Sequence, residues 1–132
     1  MSKIIISVEK ELKSKSAKII WSLISTPEGL AKWIADEVTI EGDILTFVWG
    51  NRWQAHEIKK ARILEQVAHS YSRYIWEEDE ESGNYWELLM ERNELTGDYM
   101  LTVTDVAHDG DTETLCEIWE DNMERLHRNT GL

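Results

Sequence analysis

Four histidines, one cysteine and a surplus of carboxylates are the side chains with which this chain could do chemistry. Their spacing assembles no known catalytic set. His56-Glu57-Ile58-Lys59-Lys60 begins as a zinc-protease helix begins, yet Lys60 stands where the second histidine is required. His56, His69, His108 and His127 are scattered singly, whereas metal sites gather their ligands, so no metal or other cofactor is expected. No G-x-S-x-G elbow, P-loop or G-x-G-x-x-G occurs. Asp105, Glu87, His56 and Arg73 are available as acid–base groups, but no two of them stand at a spacing that would set both on one substrate proton. Cys116 is alone, which excludes an intrachain disulfide, and its place beside an apolar helical stripe suits a packed thiol. A cyclase- or hydrolase-type enzyme therefore ranks behind a binding module.

What the chain holds in excess is tryptophan, seven against one phenylalanine. An indole is costly to bury unless its N–H finds an acceptor, so these rings either line a partly polar groove or fill the core. Strand alternation sets Trp86, Leu88 and Met90 on one face, and Leu101, Val103 and Asp105 on one face of a later strand. Opposite them, Trp119 and Met123 belong to the buried side of the last helix. Trp49, Trp53, Tyr74 and Trp76 complete a candidate ligand-binding set. An apolar pocket with a few convergent polar groups is the usual form of a small-molecule site, and collapse into a solid core is the alternative.

The elements that would position these residues can be read in order. Residues 3–12 are β-branched and then alternating, a first strand. Ala17, Ile20, Trp21 and Ile24 form one helical stripe, with Ser14 or Ser16 as its cap. Thr26 then caps a second short helix that has Pro27 at its first position, and Leu30, Trp33 and Ile34 form its stripe. Strands follow at 38–41, 44–49, 52–64, 71–76, 85–91 and 99–106, with a tight turn at Gly50-Asn51 and a break or bulge near Lys59-Lys60. The spacing predicts a terminal helix over 112–129, capped by Asp111 or Thr112 and closed by Gly131. Its buried stripe is Leu115, Ile118, Trp119, Met123 and Leu126, and Asp121–Arg125 and Glu124–Arg128 are acid-to-base pairs one turn apart. Strands joined by short turns, with one long helix, predict an α+β fold in one domain, 1–132.

Charge narrows the partners. The net formal charge of −12 argues against nucleic acid and anionic membrane surfaces, which need basic patches. Residues 1–66 carry a net +1 and residues 67–132 a net −13, including the run Glu77-Glu78-Asp79-Glu80-Glu81. A basic protein could dock there, and a solvated loop is the alternative. No apolar run approaches the 18 or so residues of a membrane span, and no signal-peptide core appears, so the cytoplasm is the expected location.

The order strand, two short helices, strands, long helix, with Trp21…Thr26-Pro27-Glu28-Gly29-Leu30…Trp33 near the front, resembles the START-like helix-grip superfamily (SRPBCC). Within it the chain is most similar to the group named after the activator of heat-shock-protein-90 ATPase. Ala61-Arg-Ile-Leu-Glu-Gln-Val67, with Tyr71…Tyr74-Ile-Trp76, looks like that group's middle hairpin, and Leu101-Thr-Val-Thr-Asp105 like its last strand. Two departures stand out: the glycine pair common near the third strand is absent, and Asp105 occupies a position where many members have histidine. The resemblance implies a curved antiparallel sheet of about six to seven strands gripping the C-terminal helix, with a cavity between them. It implies a hydrophobic or amphipathic small molecule as ligand, or else a protein partner for a co-chaperone-like regulator in stress response, the protein being a monomer or homodimer. It fixes no ligand, because the superfamily hosts lipid carriers, hormone receptors, cyclases and co-chaperone domains.

Overall fold

The computed structural model describes residues 3–51 and 54–132, the side chains of residues 51, 55 and 56 excepted. Strand β1 (Ile4–Leu12) leads into helices α1 (Ala17–Ser25) and α2 (Pro27–Leu30). Six more strands follow: β2 (Glu37–Glu41), β3 (Ile44–Asn51), β4 (Gln54–Val67), β5 (Tyr71–Trp76), β6 (Trp86–Arg92) and β7 (Tyr99–Ala107). A 3-10 turn at Glu77–Asp79 lies between β5 and β6, and helix α3 (Thr112–Thr130) ends the chain. The strands form one antiparallel sheet in the order β1-β7-β6-β5-β4-β3-β2. The terminal helix packs on the sheet's inner face, giving the expected α+β helix-grip arrangement.

Local chemistry accounts for the helix joint. Ser16 Oγ accepts the amide of Ile19 at 3.3 Å and starts α1. Thr26 does two jobs: its hydroxyl donates to the Ser22 carbonyl at 2.7 Å and accepts the Gly29 amide at 3.0 Å, with Pro27 at the first position of α2. A Cβ on Gly29 would lie 1.8 Å from the Ser22 carbonyl oxygen, so only glycine permits so close an approach of the two helices. The pair is tied down by Trp33, whose Nε1 donates to Leu23 O at 2.9 Å, and by the Tyr74 hydroxyl, which donates to Ile24 O.

Alternation sets the core. Along β7 every second residue is buried, with Leu101, Val103, Asp105 and Ala107 inward, and β6 matches it with Trp86, Leu88 and Met90. Three expectations need correction. Gly50 and Asn51 are paired strand residues, opposite Ala55 and Gln54, and not the tip of the hairpin. Lys59 and Lys60 lie in unbroken register with Phe47 and Thr46; the irregularities fall at Trp49/Gly50 and at Ile63/Glu65. Ile118 is 49% exposed and so leaves the buried stripe of α3, which keeps Trp119, Met123 and Leu126. Arg125, one turn from Asp121, reaches instead across to the Asp36 carboxylate and, at 3.1 Å, the Ala35 carbonyl. That crossing fastens α3 to the segment between α2 and β2.

Candidate functional site

The inner face of the sheet is mostly apolar; Ser72 is buried toward one end, and charged groups gather toward the other. There β4 contributes Glu57 and Lys59, in the same alternating row as Ala61, and β7 contributes Asp105. Asp105 is only 8% exposed. Its carboxylate accepts two hydrogen bonds, from Val106 N to Oδ1 at 2.8 Å and from Trp119 Nε1 to Oδ2 at 2.9 Å. Burial raises the pKa of this carboxyl above its ordinary value, and nearby Asp79 adds to the rise. The two hydrogen bonds and the Lys59 charge act the other way without cancelling it. Asp79 is itself pushed up, first by burial and then by Glu78.

Next to Asp105 lies a continuous aromatic cluster. Trp86 is central, with ring centroids of Tyr74, Trp76, Trp119 and Phe47 at 4.6, 5.1, 5.6 and 6.1 Å. Trp33 reaches Trp119 at 5.9 Å, and Trp49 reaches Trp76 at 6.3 Å. Trp33, Trp49 and Trp119 each donate the indole N–H to an oxygen, respectively Leu23 O, Ile34 O and Asp105 Oδ2. Trp86 Nε1 is buried with no partner among the described residues.

The predicted ligand set thus divides. Tyr74, Trp86, Leu88, Met90, Leu101, Val103 and Met123 are each at most 5% exposed and pack together as core. Burial pushes the Tyr74 hydroxyl up to about 12, with hydrogen bonding to Ser72 and Gln66 acting the other way. Trp49, Trp76, Asp105 and Trp119 instead line an open cleft of about 250 Å³, together with Ile34, Glu57, Lys59, Leu115, Ile118 and Asn122. Trp53 lies outside the described residues. A second cavity of about 310 Å³ shares Lys59, Trp76, Asp105, Leu115 and Ile118 with the first and continues past Glu78, Asp79, His108, Asp111 and Thr114. The cleft therefore runs along the first half of α3, between that helix and the ends of β4, β5 and β7.

Lys59 was missed because a bulge was expected at its position, and a bulge hides which face a residue takes. With regular pairing it falls on the inner row. Its ammonium lies 4.1 Å from the Trp76 ring centroid and 2.7 Å from Glu78 Oε1. The other acid–base candidates do not join it. Arg73 and Glu87 pair at 3.3 Å on the outer face, where Arg73 also lies between the rings of Tyr71 and Tyr85. The His56 side chain is outside the described set. Among the described residues no three His, Cys, Asp or Glu side chains gather as a metal site. None of their helices is long and apolar enough to cross a membrane.

Comparison with known proteins agrees with this architecture. A solution structure of BfR322 from Bacteroides fragilis is 39% identical, with a TM-score of 0.65, over 97% of this chain and 91% of that one. The Aha1 dimer from Colwellia psychrerythraea shares the fold at 15% identity and a TM-score of 0.77, over 97% of this chain and 98% of that one. DynU16, a protein of the dynemicin biosynthetic locus, shares it at 13% identity and a TM-score of 0.73, over 96% of this chain and 48% of that one. No curated protein matches the sequence. The START-like superfamily domain profile matches residues 1–132, and the chain belongs to that superfamily.

Proposed function

We propose that this protein is a binding module that holds an amphipathic small molecule in the cleft between α3 and the ends of β4, β5 and β7. The observation that carries the reading is the cleft wall itself. Two half-buried indoles, Trp49 and Trp76, and the exposed Ile118 present apolar surface to an opening whose inner end carries the buried Asp105 carboxylate. Apolar walls with a few placed polar groups are what small-molecule sites share, and the two adjoining cavities, of about 250 and 310 Å³, lie around the lower limit of the size such sites have. Catalysis has weaker support: Arg73 and Glu87, two of the expected acid–base groups, pair with each other on the outer face, and the groups that do act on Asp105 are a second carboxyl, Asp79, and a lysine already paired to Glu78.

Native mass spectrometry of freshly purified protein, paired with tryptophan-emission titrations by apolar fluorescent probes, tests the proposal. The expected result is a one-to-one adduct or probe complex that Ile118→Glu abolishes while the far-ultraviolet dichroism stays unchanged. Absence of any adduct, with no emission change across the probe series, would overturn it.

A further inference from the structure

Resting on that reading of the cleft, we infer that its ligand carries a cationic head, an amine or quaternary ammonium on an apolar body, and that this head takes the place of the Lys59 ammonium on the face of Trp76.

The first observation is that this aromatic face already holds a cation. Lys59 Nζ stands 4.1 Å from the Trp76 ring centroid, the distance at which an ammonium is attracted by the ring's negative face. Lys59 ends a flexible four-carbon stem and is partly exposed, so it can swing out of the cleft and leave the indole to an incoming cation. The second observation is the charge around that face. Among the described residues lining the two cavities, Glu57, Glu78, Asp79, Asp105 and Asp111 surround the single lysine. An anionic head would have to sit among these carboxylates, offset by His108 in the second cavity and by a Lys59 already paired to Glu78 at 2.7 Å. A cation meets the opposite situation. It gains the indole face and Asp105, and the displaced Lys59 keeps its partner Glu78, whose side chain is largely exposed. The raised pKa values of Asp105 and Asp79 fit the same account, since at both carboxyls burial outweighs the positive charge already nearby, Lys59 at each and His108 at Asp79. Trp49, Ile118 and Leu115 are left to cover the apolar body.

The test uses octyltrimethylammonium, octyl glucoside and octanoate, each below its micelle concentration, titrated into the full chain at low and high salt with calorimetry and tryptophan emission as readouts. The expected order is cation over neutral over anion, with about tenfold or more between the first two and a gap that narrows in salt. Lys59→Gln, a change at a partly exposed position, is expected to tighten the cation several-fold, and Trp76→Leu to weaken it about tenfold. Equal binding of all three heads would overturn the cationic assignment while leaving the cleft as a ligand site. Preference for the cation that Trp76→Leu does not alter would mean attraction to the acidic surface only, and overturns it as well. No binding by any of the three would remove the cleft reading and this inference together.

Discussion

Trp119 on α3 donates its indole N–H to Asp105 on β7 at 2.9 Å, joining the terminal helix to the sheet through a buried carboxylate. A hydrogen bond to a charged group in such surroundings is worth more than a neutral one, and removing the donor leaves a largely buried oxygen short of its partner. Trp119→Phe keeps most of the ring and removes the donor. We expect it to cost about 2 kcal/mol in urea unfolding. A loss under about 0.5 kcal/mol would mean the bond contributes little to holding the helix.

Asp105 also predicts a pH dependence. Its pKa is raised in the fold above the ordinary value of 3.8, mainly by burial, so the native state holds a proton there that the unfolded chain has already released. The stability attached to that proton is complete below 3.8 and is lost as pH rises through the folded value. The stability difference between wild type and Asp105→Asn should therefore fall with rising pH across that window, most other carboxylates cancelling in the comparison. Trp119→Phe removes one of the bonds that lowers the pKa and should move the fall to higher pH. A difference that is flat from acid to neutral pH would contradict the assignment.

At Gly29, helix propensity and packing predict opposite signs. Alanine is the better helix former by about 1 kcal/mol. The new Cβ, however, would meet the Ser22 carbonyl oxygen at 1.8 Å, and that contact is with backbone, not with a side chain that can swing away. Packing wins, and Gly29→Ala should destabilise by about 2 kcal/mol or more in thermal or chemical unfolding. A neutral or stabilised variant would show that the two helices separate at little cost.

Trp33 and Trp86 are both fully buried, but only Trp33 has its N–H satisfied, at 2.9 Å from Leu23 O. Phenylalanine at position 33 loses ring volume and leaves that carbonyl unpaired, whereas at position 86 it loses volume and removes an unpartnered polar atom. Trp33→Phe should thus cost about 1–2 kcal/mol more than Trp86→Phe. Equal costs would mean that packing alone sets both values.

Residue order by itself determined the parts of this molecule that rest on neighbours within a turn or along a strand. The Thr26-Pro27 joint, the inward rows Trp86–Leu88–Met90 and Leu101–Val103–Asp105, and a long closing helix with Gly131 at its left-handed end all follow from periodicity and cap chemistry. The likeness carried by the Trp21–Trp33 stretch supplied the grip of sheet on helix. Alternation assigns a face but says nothing about volume, so it could not tell a hollow interior from a filled one. Seven of the expected pocket residues pack solid, and the opening lies instead along the first half of α3. Nor could spacing within one strand locate the bulge, which depends on the partner's pairing; its place at Ile63/Glu65 is what leaves Lys59 on the inner face above Trp76. Arg125 shows the same limit, since a partner one turn away was legible and Asp36, far off in the chain, was not. Only the folded chain brings such distant groups together, because contacts made at long separation in sequence leave no periodic trace in it.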